Sequence, residues 1–193
     1  MFSRGDDNSG TVSINFNFKY FANTFTQLTI NTNGYIYFGT SFGSITASGS
    51  NFISGINYDL DTRASGGIYF QNLNSQSSDF NSIKSDLNRL DASFVPTNLF
   101  RITYDNVPLY SSSSYNVSFQ VILASDSSKS YVLLKYTTCL ASNFALLTLP
   151  GLYYLVNGQQ TFVPISNSSC SNSNVNQNGT WVFDVSSVYS KLN

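Results

Sequence analysis

Between Val12 and Tyr20 the chain alternates, with Val12, Ile14, Phe16, Phe18 and Tyr20 on one side and polar residues with Lys19 on the other. A period of two is that of a strand with one buried face. A second alternation runs from Leu28 to Gly39 and is broken by Asn33-Gly34. Asn-Gly readily takes the positive φ angles of a tight two-residue turn, so this stretch predicts a β-hairpin. Within it Tyr35 and Tyr37 alternate with Ile36 and Phe38, so one pair faces outward or into a second layer. A Ser/Gly/Thr-rich loop over residues 40–51 leads to a short strand over 52–60, and Gly66-Gly67 turns the chain into a strand over 68–71. Then the period changes. Phe80, Ile83, Leu87 and Leu90 recur at spacings of three and four, which draws one apolar stripe on a helix near 78–91. Ser78 or Asp79 is placed to cap its start. Strands resume over 98–105, 115–124 and 130–136, the last two joined by the turn Ser125–Ser128. Two more are expected within 143–165. A low-complexity Ser/Asn loop over 166–179 precedes a final strand, Thr180–Val185, with Trp181 and Phe183 on one face. The expected fold is all-β with one helix: an antiparallel β-sandwich of many short strands carrying an amphipathic helix. No repeat or proline-rich linker divides the chain, so one domain is expected over residues 5–186, followed by a tail over 187–193.

Composition narrows the setting. Charged residues make up 10% of the 193, against about 25% in ordinary globular proteins, and Ser, Asn and Thr carry the polar load. The net charge is −1, with nine basic residues scattered along the chain. Nucleic acid binding needs clustered Lys and Arg that displace counterions, so that class is excluded. The longest apolar run, Ala145–Val156, contains Pro150 and Gly151 and is far short of the ~20 residues that span a bilayer. Direct membrane insertion is therefore not expected. The start, Met1-Phe-Ser-Arg-Gly-Asp-Asp, lacks the apolar core of a signal peptide. A leader is expected outside this chain, or the chain is a piece of a larger protein. Three Asn-X-Ser/Thr sequons, at Asn116, Asn167 and Asn178, argue for a secretory compartment and for glycosylation. The two cysteines, Cys139 and Cys170, are either paired or two buried thiols.

Candidate chemistry is sparse. The chain has no histidine and no glutamate, so the usual general base and commonest metal ligand are missing. No G-x-S-x-G, P-loop, dinucleotide or HExxH motif occurs. No catalytic function is expected. Asp59 and Asp61 are spaced so that on a strand they share a face. Two such carboxylates suit part of a calcium site. A shell of six to eight oxygens needs more donors, so the favoured role is a structural acidic cluster with no metal. In it one carboxylate pairs with Arg63 while the other takes backbone amides. Arg4-Gly5-Asp6 reads as an integrin tripeptide, but a short match means nothing without an exposed loop. The 13 Tyr and 16 Phe invite a sugar-binding reading, although most fall at strand core positions.

Several segments taken in order share one resemblance. Gly5-Asp6-Asp7 precedes the first strand, and Asn31–Gly34 and Tyr35–Phe38 make the hairpin. Tyr58-Asp-Leu-Asp-Thr-Arg63 follows, then Gly67-Ile-Tyr-Phe-Gln71 and a helix. Phe100–Pro108, Phe119-Gln-Val-Ile-Leu-Ala124 and Tyr131–Tyr136 come next, and Ser173-Asn-Val with Gly179–Val185 closes the series. This order resembles the nidogen-like (NIDO) domain family. Tyr104 stands where that family usually has Trp, and Thr137–Leu149 reproduces its glycine-rich stretch poorly. The resemblance implies an extracellular adhesion or interaction module, either secreted or the ectodomain of a larger membrane protein. Its partners would be matrix or cell-surface proteins, with a carbohydrate-binding module as the alternative. In that setting Cys139 and Cys170 are expected to form a disulfide. It would close a loop of about thirty residues, worth roughly 3–4 kcal/mol.

Overall fold

The computed structural model describes residues 1–39, 49–56, 58–110, 112–138, 150–165 and 170–188. Two antiparallel sheets face each other. One has six strands, in the order β1 (Ser9–Tyr20), β2 (Asn23–Asn31), β3 (Tyr35–Phe38), β4 (Phe52–Ser54), β9 (Gly151–Val156) and β10 (Gln159–Pro164). The other has five, in the order β11 (Thr180–Asp184), β8 (Ser130–Thr138), β7 (Ser112–Ser125), β6 (Asn98–Leu109) and β5 (Gly67–Leu73). The expected β-sandwich with one helix is the observed architecture. Alternation explains the main core: Phe18, Ile30, Ile36, Ile53 and Leu152 from one sheet meet Phe100, Tyr104, Phe119, Leu134 and Phe183 from the other. Phe2 joins this core, and its N–H donates to the Ile68 carbonyl at 2.8 Å.

The helix, α1 (Ser78–Asn88), covers half of the outer face of the five-stranded sheet. Phe80, Ile83 and Leu87 pack there on Leu73, Leu99, Ile122 and Leu133. Leu90 lies past the helix end and is 44% exposed. The cap is Ser77, and no side chain bonds the free N–H groups, so capping by Ser78 or Asp79 is corrected. Asp79 is engaged elsewhere, 2.6 Å from the Arg101 guanidinium.

Two other expectations change, and one is met. The hairpin forms, but Asn33 keeps a negative φ. Gly34 alone is left-handed (φ 86), and its N–H bonds the Asn31 carbonyl. The loop is thus a turn closed by a glycine, the three-residue hairpin form. A Cβ at Gly34 would fall 2.0 Å from the Ile56 carbonyl oxygen. The true tight turn with two positive φ angles is Asn157-Gly158 (φ 51 and 76), between β9 and β10. The strand expected over 52–60 stops at Ser54, which lies opposite Tyr35 and Gly151, the first residues of both partner strands, and Gly55 then passes against the Phe119 ring. Finally, Tyr35 and Tyr37 form the second aromatic layer, with Phe52 and Tyr153, on the outer side of the six-stranded sheet.

Candidate functional site

Residues 59–61 lie between two other segments. Asp61 pairs with Asp6 on one side, and Leu60 pairs with Leu109 on the other. The Asp61 N–H donates to the Pro108 carbonyl (3.0 Å) and the Tyr110 N–H to the Asp59 carbonyl (2.8 Å). Leu60 is fully buried, so the alternation of an extended chain sends Asp59 and Asp61 outward together. Thr62 fastens the start of the chain: its N–H donates to the Gly5 carbonyl, and its hydroxyl accepts from the Gly5 N–H at 2.8 Å. Asn33 links the hairpin to both. Its side-chain oxygen accepts the Leu60 N–H at 2.9 Å, and its amide donates to Asp7 Oδ1 at 2.7 Å.

The two expected carboxylates have separate fates. Asp61 receives Arg63 as a fork, from Nε at 3.0 Å and from a terminal nitrogen at 2.8 Å, and also the Arg63 N–H at 2.8 Å. Those hydrogen bonds hold the Asp61 carboxyl below its ordinary range, against the opposing pull of desolvation. The same guanidinium reaches Asp6 Oδ2 at 3.0 Å and lies 5.5 Å over the Tyr110 ring. Asp59 faces Asp6 and Asp7, with ligand oxygens of all three within 4.8 Å of one another. Burial first, then the like charges of Asp6, Asp7 and Asp61, push its carboxyl up. The acidic neighbours of Asp59 are thus Asp6 and Asp7, which sequence reasoning used only as part of a family pattern. Nothing in the sequence spacing links residue 6 to residue 59. Three carboxylate oxygens fall short of a calcium shell, and no metal is assigned to them.

Arg4-Gly5-Asp6 is not an exposed loop tip. Asp6 sits in a bridge with Asp61, and its carboxylate is held by Arg63. A second polar cluster lies where α1 ends. Asp91 accepts from Lys129, from the Tyr131 hydroxyl (2.8 Å) and from Ser93 (2.6 Å), beside a cleft of about 630 Å³. Hydrogen bonding, chiefly from Lys129, holds Asp91 well below the usual carboxylate range, while burial foremost raises Tyr131. Both groups are moved away from neutrality, so neither is tuned for proton transfer near pH 7.

Cys170 lies in a turn and is not a free thiol, while Cys139 lies outside the described residues. Of the sequon asparagines, Asn178 is exposed in a turn, and Asn116 is partly buried in β7 opposite Pro108. Asn167 lies outside the described residues. The segment 170–179, expected as a low-complexity loop, is built. Ser173 Oγ accepts the Val175 and Gln177 N–H groups, and Val175 is buried under α1. Asn174 binds both backbone groups of Val182 on the open edge of β11. No helix among the described residues is long and apolar enough to cross a membrane.

Residues 26–141 match the family model of the nidogen-like domain. The match includes Asn33, Asp59, Asp61 and Arg63, and leaves Asp6 and Asp7 outside it. No curated protein and no solved structure matches the chain.

Proposed function

The chain belongs to the nidogen-like domain family, an extracellular kind of module, and on that premise we propose that it serves cell–matrix adhesion by holding a matrix or cell-surface protein. The contact works through surface complementarity, without covalent chemistry. The observation that carries this reading is the family match over residues 26–141, which includes the hairpin, the Asp59–Arg63 corner and strands β5 to β8. A surface rich in Ser, Asn and Thr and poor in charge supports it.

The extracellular setting implies a Cys139–Cys170 disulfide. Its support is positional. Gly179 bonds back to Asn172 and packs on the Tyr136 carbonyl, which brings the Cys170 turn beside the end of β8, and residue 139 directly follows that strand. Glycans are expected at Asn178 and Asn167, and at Asn116 to a smaller extent, because β7 partly buries that side chain. Intact mass of secreted material with and without reductant tests the disulfide, and two freely alkylated thiols would refute it. Glycopeptide mapping tests the sugars, and occupancy at Asn116 alone contradicts the burial argument. The adhesion reading itself is tested by pull-down of matrix proteins with the immobilised chain. Retention of none, at any salt concentration, overturns it.

A further inference from the structure

The helix covers only half of the outer face of the five-stranded sheet. The other half is open, and its outward residues have a definite chemistry. Alternation in β5 buries Ile68 and turns Tyr69 outward, 42% exposed. The register sets Tyr69 opposite Thr103, and Thr103 opposite Gln120, in one row across three strands. Strand spacing makes that row about 10 Å wide. Gln71 opposite Arg101, and Gly67 opposite Asp105, form the flanking rows. Tyr69, Gln71, Arg101, Thr103, Asp105 and Gln120 line a cleft of about 300 Å³. Its floor is rigid sheet backbone, and its wall is Arg101, pinned by Asp79 at the start of α1.

Two details make this more than a solvated face. The Tyr69 ring is laid along its own strand over Gly67, because its hydroxyl, Cε2 and Cζ lie 2.8–3.0 Å from where a Cβ on residue 67 would sit. Any other residue at 67 would lift the ring. A recumbent aromatic face is thereby presented beside two carboxamides, a carboxylate, a hydroxyl and a guanidinium. That set supplies both donors and acceptors to vicinal hydroxyls, next to an apolar surface that stays rigid on binding. The charge balance also selects. Arg101 is already matched by Asp79, which leaves Asp105 as the unmatched charge among the lining residues. Sulfated or carboxylated sugars are disfavoured, and neutral ones fit.

We propose that the open half of this sheet face binds a neutral pyranose of a glycan, stacked on Tyr69 and hydrogen-bonded by Thr103, Gln120, Gln71, Asp105 and Arg101. The inference rests on the extracellular reading above and deepens it, because the partner is then bound in part through its sugar. The test uses the full chain and the methyl glycosides of glucose, galactose, mannose and N-acetylglucosamine, followed by saturation-transfer NMR and calorimetric titration, with heparin as the anionic comparison. At least one neutral glycoside should bind. Tyr69→Ala should weaken it about tenfold, the loss of an interface anchor worth ~1.4 kcal/mol. Tyr69→Phe should keep most of the affinity, while Gly67→Ala and Gln120→Ala should each lose several-fold. Melting curves establish that each variant is folded, and Gln120→Ala, at a partly exposed polar site, serves if Tyr69→Ala is not. Absence of binding by all four glycosides overturns the proposal. So does binding that survives Tyr69→Ala and Gln120→Ala, or a preference for heparin. A matrix protein stripped of its glycans separates the two readings. If it is still retained while no sugar binds, the adhesion role stands and the glycan cleft falls.

Discussion

Asn174 occupies the outer edge of β11 as a neighbouring strand would. Its amide nitrogen donates to the Val182 carbonyl at 2.6 Å, and its oxygen accepts the Val182 N–H at 2.9 Å. The other edge of β11 pairs with β8, Val182 lying opposite Leu133. Asn174→Ala removes both bonds at once. Each is worth about 1 kcal/mol net, and water can reach the exposed position, so the expected loss is about 1–2 kcal/mol. For a domain of this size each kcal/mol shifts Tm by roughly 2–4 °C. Asn174→Asp is the sharper probe. It keeps the acceptor for the Val182 N–H but sets a carboxylate oxygen against the Val182 carbonyl, so it should melt no higher than the alanine variant. Thermal melting and exchange of the Val182 amide read both effects. Once freed, the edge also offers unpaired groups to a second copy, so light scattering should show self-association in Asn174→Ala. A Val182 amide as protected as in wild type, with Tm unchanged, would refute the edge-cap argument.

Asp59→Asn should raise stability at pH 7, because it removes a desolvated charge crowded by Asp6, Asp7 and Asp61. Since the folded carboxyl titrates above its unfolded value, wild type regains that stability as the pH falls through the folded value. The gain should therefore vanish toward about pH 4, and a gain that persists in acid contradicts it. Asp61→Asn should do the opposite. Its stabilisation is present above the unfolded value of about 3.9 and is lost as pH falls through the depressed folded value. The effect should be small, because Arg63 is exposed, and it should be independent of calcium; a calcium-dependent rise in wild-type Tm that disappears in Asp61→Asn would defeat the clasp. Tyr104→Phe should cost about 0.5–1.5 kcal/mol in urea titration, since it removes one buried hydrogen bond from the Asn31 carbonyl, which keeps the Gly34 N–H as a donor. A change below a few tenths would show that this bond adds nothing.

Local period carried most of the fold. The alternation from Val12 to Tyr20 and the stripe Phe80, Ile83, Leu87 became β1 and α1, because each buries one face and nothing overrides it. Turn chemistry was readable only in part. Asn33-Gly34 and Asn157-Gly158 are the same dipeptide, yet only the second takes two positive φ angles. At the first, the Asn33 side chain is recruited by Leu60 and Asp7, a tertiary demand invisible in a window of a few residues. The strand expected to reach residue 60 failed for a similar reason: its partners begin opposite Ser54, and one of them, Gly151 of β9, lies 97 positions away in the chain. The Asp61–Arg63 pair was legible because it is local. The trio around Asp59 was not, since it depends on a bridge between residues 6 and 61.

Tyrosine hydroxyls join the two layers across the core. Tyr104 on β6 donates to the Asn31 carbonyl at the end of β2, and Tyr136 on β8 donates to the Gly55 carbonyl just after β4, at 2.7 Å. Packing between oily faces is non-directional and resists sliding only weakly. These bonds are directional, and they end on backbone atoms of the opposite layer. A tether pulling on one sheet would therefore load the other at once, with the hydroxyls acting as pegs. Slippage of one layer past its neighbour requires both pegs to break inside a dry core, where each is costly to lose. Under tension such a module should hold its shape up to a threshold and then yield in one step.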